Sequence, residues 1–98
     1  MIAERRTYRI NMHQDQAVVD LIKGEMEALG SEIVSRVYRS HFSPLGVVIH
    51  EMEFEDMAER EAFWAEWREK RATPEFWQKW GEIVALGGSV EDAAVMLA

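Results

Sequence analysis

Three histidines offer the side chain best suited to proton transfer near neutral pH in this sequence of 98 residues. His50 follows the apolar run Val47-Val48-Ile49, whereas His13 ends a predicted strand and His41 lies in a predicted turn. A buried neutral histidine can act as a general base, although a histidine on an apolar face is more often structural. The spacing of the three matches no metal-binding motif. His50 is therefore the candidate catalytic residue, and no metal site is predicted.

Polar residues on the predicted strands are candidate ligand contacts. Arg9 and Glu51 lie on the strand face opposite the apolar residues, and neighbouring strands would let them face each other. They would either orient a polar group in an apolar cavity or form a cross-strand or intersubunit ion pair. Asn11 carries the same two alternatives. Arg36 and Tyr38 share one face of another strand, where they would contribute a carboxylate-binding fork and a phenol or merely meet solvent.

Four tryptophans recur at helical spacing on two consecutive predicted helices, at Trp64, Trp67, Trp77 and Trp80. Such a stripe is typical of helices that pack on a sheet and on each other. An aromatic box that binds a ligand is the alternative. No glycine-rich phosphate loop follows a strand, and no nucleophile elbow is present.

Composition excludes several classes of function. The sequence has no cysteine, so it can form neither a disulfide framework nor a thiolate metal site. The net charge is −7, and the only tight basic cluster is Arg5, Arg6 and Arg9, so nucleic-acid binding is not predicted. No apolar stretch approaches the roughly 20 residues of a membrane span, and the start does not resemble a signal peptide. We expect a cytoplasmic protein.

Hydrophobic periodicity predicts seven elements in the order β-α-β-β-α-α-β. Asp15 is the predicted cap of the first helix and Gly30 its stop, Asp56 caps the second, and Thr73-Pro74 starts the third. The predicted strands are Thr7–Met12, Glu32–Ser40, Gly46–Phe54 and Ala93–Leu97, and the predicted helices are Asp15–Leu29, Asp56–Arg71 and a last helix from Pro74 to Gly87-Gly88.

This order predicts a single α+β domain over residues 1–98, with a four-stranded antiparallel sheet of ferredoxin-like type and helices on one face. The helices cannot cover both faces of the sheet. If Val48, Met52 and Phe54 face the helices, Val47 and Ile49 lie on the opposite face. An exposed apolar sheet face is a dimerisation surface, so we expect a homodimer or a higher homo-oligomer.

Four short strings resemble the NIPSNAP family of dimeric α/β-barrel proteins, and the resemblance spans Arg6 to Leu97. In these barrels two ferredoxin-like sheets pack face to face around a cavity, and His50 matches the family's histidine. Met52 and Phe54 depart from the family, which often has tryptophan and tyrosine there. The four strings are Arg6-Thr7-Tyr8, Val48–Phe54, Met57–Glu61 and Thr73–Trp77.

The resemblance implies fold and dimerisation more than activity. Some barrels of this kind use haem, whose axial histidine tends to lie on a helix, but no histidine here is predicted on one. No cofactor is therefore predicted. One hypothesis is a small, partly apolar molecule bound in the barrel cavity, with cofactor-free monooxygenase- or isomerase-type chemistry in which His50 is the base and Arg9 or Arg36 steadies an oxyanion. The alternative is a non-catalytic, homo-oligomeric scaffold protein.

Overall fold

The computed structural model describes residues 1–11, 13–40 and 46–84, and the backbone of residues 91–96. Within these residues the chain forms four strands and three helices in the predicted order. The elements are β1 (Ile2–Arg9), α1 (Asp15–Leu29), β2 (Val34–Arg39), β3 (Val47–Phe54), α2 (Met57–Lys70), α3 (Pro74–Ile83) and β4 (Glu91–Met96).

The strands form one antiparallel sheet in the order β2-β3-β1-β4. β1 lies inside the sheet and pairs with β3 and with β4, and β2 pairs with β3. The order results from two α-helical crossovers and one direct connection between β2 and β3. The α+β class with an antiparallel sheet is therefore confirmed.

The first strand differs from the predicted Thr7–Met12, because it begins at Ile2 and ends at Arg9. Glu4 and Arg6 interrupt the apolar alternation of the sequence, yet both lie on the helix-facing side of the strand. Glu4 is fully buried there because Arg60 pairs with it at 2.8 Å. Met12 lies outside the described residues.

Local capping chemistry sets the ends of the helices. Asp56 accepts a hydrogen bond from the backbone N–H of Glu59, and Thr73 accepts one from Phe76, as predicted. Gly30 ends α1 in the left-handed conformation, with φ of 66°.

Asp15 does not cap α1, contrary to prediction. The helix begins at Asp15 itself, and Gln14 is the N-cap without a side-chain bond. The Asp15 carboxylate instead pairs with Arg39 at 3.4 Å. The predicted stop at Gly87-Gly88 lies outside the described residues; α3 ends at Ile83.

The two faces of the sheet differ in what covers them. The helix-facing side carries Tyr8, Val48, Met52 and Phe54, which pack in two clusters against α1, α2 and α3. The opposite side, here called the open face, carries no helix among the described residues. Its side chains come from alternate positions of β1, β2 and β3, namely Ala3, Arg5, Thr7, Arg9, Arg36, Tyr38, Val47, Ile49, Glu51 and Glu53.

Candidate functional site

A cleft of about 880 Å³ lies between the helix-facing side of the sheet and the three helices. Arg6, Tyr8 and His50 form its floor, because they occupy alternate positions of β1 and β3 that point toward the helices. We call this space the helix-side cleft. Its volume falls within the range of small-molecule sites.

Five aromatic side chains surround the cleft in a continuous series, here called the aromatic girdle: Tyr8, Trp64, Trp67, Phe76 and Trp80. Tyr8 meets Trp80 edge to face at 4.8 Å, and Phe76 lies 5.9 Å from Trp80 and 5.0 Å from Trp67. Trp67 in turn meets Trp64 at 6.0 Å. Edge-to-face contacts hold each ring in a fixed orientation, so the girdle is a preformed apolar wall.

The guanidinium of Arg6 closes the girdle between its two ends. It lies 4.8 Å from the ring centre of Trp64 and 5.8 Å from that of Tyr8. Its Nε atom is buried and has no hydrogen-bond partner in the described part of the chain. The arrangement therefore places a charged hydrogen-bond donor in an aromatic wall.

His50 is directly opposite Arg6 in the β1–β3 register. Its side chain is buried, and its Nε2 atom lies 2.8 Å from the Ser35 hydroxyl. Burial, together with the positive charge of Arg6, lowers the pKa of His50 to about 4. The imidazole is therefore neutral at physiological pH and suited to hydrogen bonding.

Two buried or half-buried carboxylates, here called the carboxylate clamps, tie α2 to the rest of the molecule. Glu4 on β1 accepts hydrogen bonds from Arg60 and from the indole N–H of Trp64, both at 2.8 Å. Glu25 on α1 accepts one from the indole of Trp67 at 3.1 Å and others from Arg71, the shortest 2.7 Å. Each clamp orients one tryptophan of the girdle, so the polar contacts shape the apolar wall.

Among the residues predicted from sequence, only His50 lines the helix-side cleft. Arg36, Tyr38 and Glu51 meet on the open face, where Glu51 lies 3.3 Å from Arg36 and 3.5 Å from the Tyr38 hydroxyl. A hydrogen bond from Arg5 at 2.6 Å is the main cause that lowers the pKa of Glu51 below its usual range.

Within one chain, Arg9 and Glu51 are not cross-strand neighbours, although both lie on the open face. The register sets Arg9 opposite Val47 and Arg5 opposite Glu51. Asn11 lies beyond the end of β1, where its amide donates to the carbonyl of Glu82 at 2.8 Å. The structure thus gives Asn11 a role in joining β1 to α3.

The sequence reasoning missed Arg6 and Tyr8 as members of a site. Arg6 lies two positions before Tyr8 and four before Ile10, so its side chain points to the same face of the strand. Alternation therefore already placed a charge on the core face. Charges are almost never buried without a partner or a function, and that anomaly is the pattern that could have identified it. For the four tryptophans, the sequence favoured helix packing over an aromatic box that binds a ligand. In the structure they pack together and also line the cleft.

Within the described residues, no three histidine, aspartate or glutamate side chains come together as a metal site. His13 is exposed in a turn with φ of 65°, and His41 lies outside the described residues. No helix in the described part of the chain is long and apolar enough to cross a membrane.

No family model matches the chain, and neither does any curated protein. Solved structures do share its fold. A NIPSNAP family protein of Agrobacterium tumefaciens aligns at 18% identity over 99% of this chain and 85% of that chain, with a TM-score of 0.77. A NIPSNAP domain protein of Burkholderia xenovorans aligns at 20% identity over 100% and 95%, with a TM-score of 0.68.

A candidate antibiotic biosynthesis monooxygenase of Deinococcus radiodurans aligns at 10% identity over 100% of this chain and 93% of that chain, with a TM-score of 0.66. The resemblance to NIPSNAP proteins drawn from four short strings is therefore confirmed as a shared fold. The chain has the ferredoxin-like α+β fold found in NIPSNAP proteins and in related monooxygenase-like structures.

Proposed function

We propose that the protein binds a small, partly apolar molecule in the helix-side cleft. The observation that carries this proposal is the aromatic girdle, which surrounds about 880 Å³ of space with a histidine and an arginine at its floor. Ligand sites are commonly apolar concavities with a few polar groups that fix orientation. The proposal moves the site from the open face, where the sequence placed it, to the other side of the sheet.

Cofactor-free oxygenation or isomerisation is the catalytic form of this proposal. The name of the Deinococcus neighbour supports it, since that protein has the same fold. Arg6, and not Arg9 or Arg36, would steady an oxyanion, because it lies beside His50 in the cleft. A pKa of about 4 makes His50 a weak base at neutral pH, so binding is the function that the geometry supports best.

Dimerisation belongs to the same proposal. Val34 and Tyr38 are 48% and 44% exposed on β2, at the edge of the sheet, and Ile49 adds an apolar side chain to the open face. The Arg5–Glu51–Arg36 network satisfies the charges between them. Two copies packed through their open faces would form the α/β barrel, with the two helix-side clefts on the outside. The scaffold alternative keeps this dimer and leaves the clefts without a ligand.

A substitution that narrows the helix-side cleft tests the binding proposal. Ala65 lines the cleft on α2, whereas Ala62 is exposed on the same helix and does not line it. We expect Ala65→Trp to weaken the binding of 2-naphthamide, a neutral bicyclic probe, at least 10-fold in isothermal titration calorimetry, because the new indole narrows the mouth. Ala62→Trp is the matched control and should bind as the parent protein does. Equal affinities for the two variants would contradict the assignment of the cleft.

A further inference from the structure

The Nε–H of Arg6 is buried and has no acceptor among the described residues. The Arg6 side chain as a whole is 25% exposed, so the terminal nitrogens of its guanidinium are the donors that a ligand can reach. The nearer of them lies 3.8 Å from Oε2 of Glu4, beyond hydrogen-bond distance. Both Arg60 and Trp64 hold that carboxylate at 2.8 Å. Because Glu4 already accepts hydrogen bonds from two residues of α2, it accepts none from Arg6. A buried donor without an acceptor is costly, and native proteins seldom keep one without a reason.

The position of this donor is fixed from several sides. The guanidinium rests against Trp64, its strand position sets it opposite His50, and both neighbours line the same cleft. The imidazole of His50 stays neutral, so Arg6 carries the positive charge of this opposed pair. An acceptor atom that enters the cleft thus meets a donor that is already oriented, and pre-orientation lowers the cost of binding.

The charge of the guanidinium makes an anionic oxygen the best acceptor. Hydrogen bonds between two charged groups are about twice as strong as those between neutral groups. The preference for an anion therefore comes from a guanidinium that makes no hydrogen bond to the described residues.

The aromatic girdle sets the shape of the rest of the ligand. Its members present ring faces and edges to the cleft, and the edges of one ring are complementary to the face of another. We propose that the cleft selects flat aromatic anions, and that Arg6 binds their carboxylate or phenolate oxygen through the terminal N–H groups of its guanidinium. This inference rests on the proposed function, and it names the class of ligand and the residue that binds its anionic group.

Three probes of similar size separate the parts of the inference. 2-Naphthoate supplies the flat ring and the anion, 2-naphthamide keeps the ring without the charge, and decalin-2-carboxylate keeps the charge on a saturated body. Isothermal titration calorimetry at neutral pH should show naphthoate binding at least 10-fold more tightly than either analogue. The amide loses the ionic hydrogen bond, which commonly changes affinity by about 10- to 100-fold. The saturated body of decalin loses the ring contacts with the aromatic girdle.

Variants of Arg6 test the residue itself. Arg6→Gln should bring the naphthoate affinity to within about 3-fold of the naphthamide affinity, and Lys23→Gln removes one positive charge from the exposed side of α1 as the control. If Arg6→Gln does not fold, Arg6→Lys keeps the charge but loses the planar, forked donors of the guanidinium. It should weaken naphthoate binding at least 5-fold and leave naphthamide binding unchanged.

The affinities of the three probes and of the Arg6 variants distinguish failure of the inference from failure of the binding proposal. Naphthoate and naphthamide affinities that are equal, and are both lost in Ala65→Trp, would overturn the role of Arg6 and leave the binding proposal intact. Equal affinities for naphthoate and decalin-2-carboxylate would overturn the selection of flat ligands. Full naphthoate affinity in Arg6→Lys would overturn the assignment of the contact to the guanidinium. Binding of none of the three probes would contradict the binding proposal and the inference together.

Discussion

At the scale of single residues, His50 is the group whose ionisation the fold changes most clearly. Its ordinary pKa of 6.5 falls to about 4, chiefly because burial disfavours the imidazolium and secondly because Arg6 repels it. The unfolded chain therefore takes up a proton as the pH falls through 6.5, while the folded chain does not until about pH 4. The full contribution of neutral His50 to the free energy of unfolding is therefore present above pH 6.5 and is lost as the pH falls toward 4.

We expect the free energy of unfolding to decrease by about 3 kcal/mol between pH 6.5 and 4 on account of His50 alone. His50→Gln should remove that part of the pH dependence in urea denaturation, whatever its effect at neutral pH. His13→Asn provides the control, because it removes an exposed histidine at a left-handed position that asparagine tolerates. A variant without His50 that keeps the full pH slope would show that other groups cause it.

For single residues, the sequence predicts the strand face on which a side chain lies but not its partner on the next strand. Alternation assigns a residue to a face of a strand, so it put Arg36 and Tyr38 on one face of theirs. The structure places that face on the same side of the sheet as Glu51. Alternation cannot distinguish Arg5 from Arg9 as the partner of Glu51, because the two differ by an even number of positions and share a face. Long-range register decides between them, and the register is set by the whole sheet.

At the scale of elements, α2 is attached mainly through polar contacts. Phe63 is its one buried residue in the described structure, and the helix is otherwise half-buried or exposed. The two carboxylate clamps therefore hold the helix that forms one wall of the cleft. Glu4 is fully buried, whereas Glu25 and its partner Arg71 have side-chain exposures of 11% and 39%.

We expect Glu4→Gln to lower the free energy of unfolding by about 3 kcal/mol, because it removes the charge of a fully buried carboxylate that Arg60 and Trp64 both contact. Glu25→Gln should cost less, since solvent already screens the pair with Arg71. Chemical denaturation of both variants at neutral pH makes the comparison. A larger loss for Glu25→Gln than for Glu4→Gln would contradict the assignment of Glu4 as the main anchor of α2.

The elements themselves were largely predictable, for local reasons. Asp56, Thr73 and Gly30 act through groups within a few residues, so their capping roles follow from the sequence. The start of β1 was not predictable in the same way. Glu4 belongs on a core face only because Arg60 and Trp64 arrive from α2, which lies more than 50 positions along the chain.

At the scale of the whole molecule, the sheet separates two surfaces of different character. The helix-facing side contains the cleft, and the open face contains an ion network flanked by apolar side chains. The sequence predicted an exposed apolar face but could not reveal the cleft, since the gap between helices and sheet depends on how three helices pack together. The proposed dimer and the proposed ligand site thus lie on opposite sides of the sheet.

This separation makes dimerisation testable without disturbing the cleft. Ile49 lies on the open face, with Tyr38 opposite it in the β2–β3 register. We expect the parent protein to be a dimer by light scattering after gel filtration, and Ile49→Glu to be a monomer, because a carboxylate without a partner is costly to bury.

Ala62→Glu adds the same charge to the exposed side of α2, so it should remain dimeric. A folded Ile49→Glu monomer that still binds a cleft ligand would show that each cleft is complete within one chain. A parent protein that is monomeric, or an Ile49→Glu variant that stays dimeric, would show that the open face is not the interface. The α/β barrel would then have to be abandoned, whereas the cleft, its girdle and Arg6 would stand unchanged, because one chain supplies all of their described residues.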